Sequence, residues 1–225
     1  MDLKEFMSVR RAYNIVRQNV SASERLTFEE FAILCRLNES TEPVKTSAIA
    51  DYQGALRPTM THRTNHLEGL GLIDRSEGEI DRRNVVCSIS ARGREHVLEL
   101  ATLTRAQIPN GKALSRTSSE RILKYVDAMG AYFCKAGELV LLGLYASDED
   151  SLTIMQIVDA LGLLQPTVSM SVSSLAERGL VDRGHDAGRT TKVSLTAAGV
   201  EYARELASGI EALVVRRKLR APKGQ

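Results

Sequence analysis

Arg57-Pro58-Thr59-Met60-Thr61 and Gln165-Pro166-Thr167-Val168-Ser169 are one phrase written twice, 108 positions apart (58 against 166). Working outward without a gap, His66-Leu67-Glu68-Gly69-Leu70-Gly71-Leu72-Ile73-Asp74-Arg75 falls on Ser174-Leu175-Ala176-Glu177-Arg178-Gly179-Leu180-Val181-Asp182-Arg183. Upstream, Ile49 and Asp51 fall on Ile157 and Asp159. Downstream, Ser88-Ile89-Ser90-Ala91-Arg92-Gly93 matches Ser194-Leu195-Thr196-Ala197-Ala198-Gly199 at an offset of 106 (93 against 199). The two residues missing between these anchors are a change that a loop tolerates and a helix does not. So long a period, met only twice, marks a duplicated domain and not a solenoid.

The phrase opens a helix. Proline suits a first helical turn, where its missing N–H costs nothing. Beyond it, Met60, Thr64 and Leu67 recur on one face, as do Val168, Val172 and Leu175, and the opposite faces are polar. A shorter helix precedes each (Thr46–Tyr52; Thr153–Leu161), so the pair reads as a helix-turn-helix. Each is followed by Gly-Leu-aliphatic-Asp-Arg, a polar loop and a return run, Val85–Ile89 or Lys192–Leu195. That alternation predicts a β-hairpin, or wing.

Amphipathic helices frame both units. Val9, Tyr13, Val16 and Val20 share one helical stripe, as do Ile122, Val126, Met129 and Phe133. Second apolar helices are expected over 28–38 and 137–146, and closing helices over 92–108 and 197–219. Pro109-Asn110-Gly111 breaks the chain between halves. The expected fold is mainly α with small β-wings: two tandem winged helix-turn-helix domains, 1–110 and 111–225, plus flanking helices.

Composition narrows the function. With 225 residues, 43% hydrophobic, the chain can build one large or two small cores. Aromatics at 4% and the lack of Trp fit an aliphatic helical core. A net charge of +2 decides little, so any basic surface must come from local placement. Without a signal-like or membrane-length apolar run, a cytoplasmic protein is expected. Cys35, Cys87 and Cys134 lack C-x-x-C spacing and read as small core residues, not a disulfide scaffold or zinc knuckle. The chain has no G-x-S-x-G, phosphate-binding Gly-Lys-Ser/Thr loop or dinucleotide fingerprint, which argues against an enzyme.

Asp81-Arg82-Arg83-Asn84-Val85-Val86-Cys87-Ser88-Ile89-Ser90-Ala91-Arg92-Gly93 resembles the wing of the MarR family of bacterial winged-helix regulators. In that family an Asp-x-Arg stretch runs into Leu-Thr-x-x-Gly. The second half keeps Arg189 and Leu195-Thr196-Ala197-Ala198-Gly199. It has Ala187 where the Asp would stand, with Asp186 one place earlier. The resemblance implies a dimeric architecture in one polypeptide, as in two-domain Sar-type regulators, with first and last helices forming an internal pseudo-dimer. It also implies a repressor on pseudo-palindromic double-stranded DNA, without a cofactor.

An α-helix fits the major groove, whose base edges carry a distinct donor and acceptor code. The first candidate helix offers Thr59, Thr61, His62, Asn65 and His66, with Arg57 and Arg63 at its edges. Asn pairs with adenine, Arg with guanine, and Thr touches thymine methyls. The second offers Gln165, Thr167, Ser169, Met170, Ser173 and Ser174. Arg83 and Arg189 stand where the family inserts an Arg into the minor groove, and Arg82 adds a phosphate contact. The family often has an Arg where this chain has His62 and Met170. The first half is therefore expected to do most base reading, on a lopsided operator. The plain alternative for both helices is a solvated polar face.

His62 and His66 have the i, i+4 spacing of a zinc pair, but no third ligand follows, and a groove contact strengthened by protonation is the favoured role. Arg216, Arg217, Lys218, Arg220 and Lys223 form a basic tail that either grips phosphate or is simply solvated. The resemblance also implies a small aromatic effector in a cleft near Tyr13, Tyr52, Tyr125, Tyr132 and Phe133, residues that otherwise read as core. Further dimerisation stays open. The competing function is a protein-interaction or assembly module.

Overall fold

The structure, a computed structural model, describes residues 1–78, 85–185 and 191–215. The first half runs α1 (Leu3–Gln18), α2 (Phe28–Glu39), β1 (Val44–Lys45), α3 (Thr46–Tyr52), α4 (Arg57–Gly69), β2 (Ile73–Glu77), β3 (Val85–Ile89) and α5 (Ala91–Ala106). The second repeats that order: α6 (Ser119–Met129), α7 (Ala136–Tyr145), β4 (Leu152–Thr153), α8 (Ile154–Leu161), α9 (Gln165–Glu177), β5 (Val181–His185), β6 (Thr191–Leu195) and α10 (Ala197–Glu211). The duplication and the winged helix-turn-helix units are both present.

Helix starts follow their capping residues. Asp2, Thr27 and Thr153 close capping boxes with Glu5, Glu30 and Gln156, while Ser90, Ser118 and Thr196 cap α5, α6 and α10. Two stripes end sooner than expected. Val20 lies beyond α1, which stops at Gln18, and Phe133 lies beyond α6, which stops at Met129. Gly130 caps α6 against the Ala32 and Tyr52 side chains, where a Cβ would meet both at 3.0 Å.

Each sheet has a third strand that the sequence did not announce. Its order is β1-β3-β2 or β4-β6-β5, antiparallel throughout. Val44 pairs with Cys87, and Leu152 with Val193. Two residues are too short a run to show alternation. The hairpins join sheet to closing helix by the same device. Ser90 and Thr196 donate their N–H groups to the Leu72 and Leu180 carbonyl oxygens. A Cβ on Gly93 or Gly199 would overlap those same oxygens. Glycine is needed there for close approach.

The halves exchange their leading helices. α1 packs on α5 of its own half and on α6, α8 and α10 of the other, while α6 packs on α1, α2 and α5. Arg11 Nε donates to the Asp159 carbonyl oxygen at 2.8 Å, and Asn14 Nδ2 to that of Leu161 at 2.9 Å. Gly162, with φ of +60°, ends α8 where a Cβ would sit 2.7 Å from the Arg11 carbonyl oxygen. On the other side, Lys124 reaches Glu39 at 2.7 Å and Asp127 reaches Arg36 at 3.5 Å. One apolar core of buried residues runs through both halves, from Phe6 to Ile210.

Candidate nucleic-acid interface

α4 is held by Met60, Thr64 and Leu67, all at most 0% exposed, and α9 by Val168, Val172 and Leu175. Both helices begin at an exposed leucine, Leu56 (77%) and Leu164 (53%), with no side-chain cap. Their first N–H groups are therefore not satisfied by a cap, and such groups suit phosphate oxygens.

Arg57, Thr59, Thr61, His62 and Asn65 are exposed on α4. Thr61 donates its hydroxyl to the Arg57 carbonyl oxygen at 3.0 Å. Arg63 and His66 are only half-exposed and turn toward the protein. Arg63 donates to Gln53 Oε1 at 2.9 Å and lies over the Phe133 ring at 5.4 Å. His66 Nδ1 sits 2.7 Å from Glu30 Oε1, whose other oxygen accepts from the Thr27 N–H and hydroxyl. An ionised Glu30 only accepts, so it fixes the proton on Nδ1 and leaves Nε2 for another partner. The histidine pair is thus divided, and among the described residues no group of three or more His, Cys, Asp or Glu side chains is placed to hold a metal.

On α9, Gln165, Met170 and Ser174 are exposed, and Thr167, Ser169 and Ser173 half-exposed. Met170 is 75% exposed. Arg82, Arg83 and Arg189, with Asp81, Asp186 and Ala187, lie outside the described residues, as does the tail from Arg216.

Two arginines escaped the sequence reading. Arg75 on β2 donates to Asn65 Oδ1 and to Glu68 Oε2, the latter at 3.1 Å. With Oδ1 taken, Asn65 offers its NH₂ donors outward. Arg183, the counterpart on β5, is exposed and, among the described residues, donates to Ser173 Oγ at 3.4 Å. Ala176 stands where Glu68 would neutralise it. Both arginines were visible in the repeated Gly-Leu-aliphatic-Asp-Arg phrase.

The five aromatics do not share a site. Tyr13 is sealed in the core, stacked on Phe31 with centroids 4.9 Å apart, and donates to the Leu26 carbonyl oxygen. Tyr125 donates to Glu5 Oε1 at 2.6 Å. Tyr132 packs over Gly209, and Phe133 under Arg63. Tyr52 lines a cavity of about 480 Å³ with Arg36 and Asp127, between α2, α3, α6 and the segment after α10. Arg36 lies 3.7 Å above its ring. Burial first, then the Asp127 charge, pushes the Tyr52 hydroxyl pKa up, so it stays a neutral donor.

The MarR family profile matches residues 26–85, and a second MarR family profile matches residues 139–189. No curated protein matches the chain. Among solved structures, the transcriptional regulator BldR from Sulfolobus solfataricus is 26% identical, covering 44% of this chain and 67% of its own, with a TM-score of 0.38. MepR, a transcription regulator of the Staphylococcus aureus multidrug efflux pump MepA, is 26% identical over 40% of this chain and 67% of its own, with a TM-score of 0.33. A MarR family transcriptional regulator from Silicibacter pomeroyi is 27% identical over 44% and 71%, with a TM-score of 0.33. Among the described residues, no helix is long and apolar enough to cross a membrane.

Proposed function

The chain belongs to the MarR family, with one family unit in each half, and from that premise we infer that it is a sequence-specific DNA-binding transcription regulator acting as a single-chain pseudo-dimer. One observation carries the reading. Two equivalent helices, each buried on an apolar stripe and polar outside, are tied together because α1 and α6 cross between the halves. Such a scaffold suits two successive major grooves, roughly 34–36 Å apart. A repressor that occludes its promoter is the role favoured.

The contacts divide unequally. Arg57, Thr59, His62 and the Asn65 amide supply base reading from α4. Arg183, Gln165 and Thr167 supply backbone contacts from β5 and α9, with the wing arginines in the minor grooves. The operator is then lopsided. Polarisation titrations against DNA from the region upstream of the gene test this. Nanomolar binding to one segment, with a steep salt dependence, is expected. Equal weak binding to every segment would overturn it.

The exposed Leu164 before α9 and Met170 on it favour a second reading, in which this half docks a protein. It predicts DNA binding unaffected by changes in α9. A small aromatic effector fits best in the cavity beside Tyr52, where it would bear on α3 and α6 together.

A further inference from the structure

Asn65 stands on the outer face of α4, one turn beyond the exposed Thr61 and His62. Its amide is held from behind. Arg75 Nη1, reaching across from β2, donates to Asn65 Oδ1 and, at 3.1 Å, to Glu68 Oε2 one turn farther along the same helix. An arginine side chain carries N–H donors and no acceptor, so the amide atom that faces it is the oxygen, and the NH₂ group faces away. Arg75 is itself fixed. Its side chain is 16% exposed, its Nε is buried, and Glu68 supplies the counter-charge. The second half is built differently at this place. The counterparts of Asn65, Glu68 and Arg75 are Ser173, Ala176 and Arg183, and Arg183 Nη1 meets the Ser173 hydroxyl at 3.4 Å.

In the major groove, adenine sets the N7 acceptor beside the N6 amino donor, whereas guanine sets two acceptors, N7 and O6, side by side. An asparagine free to turn matches adenine, accepting from N6 and donating to N7. Asn65 offers the donor half of that pair. The guanidinium at Oδ1 places further N–H donors beside the oxygen, so an adenine amino group arriving there meets partial positive charge. The two outward N–H groups suit N7 and O6 of a single guanine instead. Resting on the operator-binding reading above, we propose that Asn65 is a specificity-determining residue for guanine, with Arg75 the positioning residue that turns it from adenine. On α9 a hydroxyl has one O–H to give, so this guanine belongs to the half-site under α4.

Selection from a randomised duplex library, with wild type, N65A and R75M in parallel, tests the assignment. The base pair whose preference disappears in N65A is the one that Asn65 reads, and wild type should select guanine there. R75M keeps an unbranched stem and removes the donors, so it should move the guanine-to-adenine ratio at that base pair at least about tenfold toward adenine. Atomic substitution in the selected operator asks the same of the wild-type protein. There, 7-deazaguanine, which lacks N7, should weaken binding at least about fivefold, and inosine, which keeps N7 and O6, should leave it unchanged. Adenine at the N65A-sensitive position, no position sensitive to N65A, an unaltered guanine preference in R75M, or full affinity for 7-deazaguanine overturns the proposal while operator binding stands. If wild type selects no sequence at all, the regulator reading falls, and this assignment falls with it.

Discussion

In the first half Glu30 holds His66 of α4 at 2.7 Å, whereas its counterpart Glu138 takes the hydroxyl of Tyr202, on α10, at 3.3 Å. Arg75 is neutralised by Glu68, whereas its counterpart Arg183 meets a serine among the described residues. Gln53, buried and bonded to Arg63, corresponds to the apolar Leu161. Yet Gly93 and Gly199 face the same carbonyl crowding, and Met60, Thr64 and Leu67 fill the same places as Val168, Val172 and Leu175. The two copies agree where atoms touch in the core and disagree where charges are wired. Packing tolerates little change once a core is dense, while polar partners near a surface can be exchanged for small energies.

That contrast can be broken or sharpened by experiment. The largest effect belongs to the shared device. Gly93→Ala and Gly199→Ala should each destabilise the chain by about 3 kcal/mol in chemical denaturation. A marked inequality between them would break the equivalence of the two hinges. Next comes the reading surface. Replacing Arg57 and His62 together with Ala should weaken operator binding by about 1–3 kcal/mol, and Met170→Ala by less than threefold. Equal losses would restore functional symmetry to the halves.

Cys134 occupies the place of Leu26 in the first half, and burial pushes its thiol up to about 12 from an ordinary 9.0. A raised thiol pKa contributes stability in full below the ordinary value and loses it as pH rises through the folded value. Denaturation at pH 10 should therefore show a loss of about 1 kcal/mol relative to pH 8, and Cys134→Ala should remove that part of the slope. An unchanged slope would mean that Cys134 resembles Leu26 in packing only. The smallest effect separates the two strand arginines. Arg183→Ala should lower the salt slope of DNA binding by about 0.9, and Arg75→Ala should leave it as it was, because Glu68 already neutralises Arg75. The reverse result would assign the phosphate contact to the first half.

Much of this was legible in the residues. The Arg57-Pro58-Thr59 and Gln165-Pro166-Thr167 phrase placed both recognition helices, because apolar period and a proline at a helix start are local properties. The outward set Arg57, Thr59, Thr61, His62 and Asn65 followed from the same period. Arg63 was read at the edge of that face and His66 on it, and their partners Gln53 and Glu30 come from the end of α3 and from α2, so their inward turn had no local signal. The third strands left no trace, since two residues cannot display alternation.

The sequence by itself determined the duplication, the two winged units and which helix faces stay polar, because these depend on neighbours within a few turns of chain. Only the tertiary structure decided that α1 and α6 change sides. An apolar stripe has the same spacing whether it packs on its own half or the other, so periodicity carries no record of that choice. Arg10 and Cys134 lie 124 positions apart in the chain, and nothing shorter than the folded core brings them together.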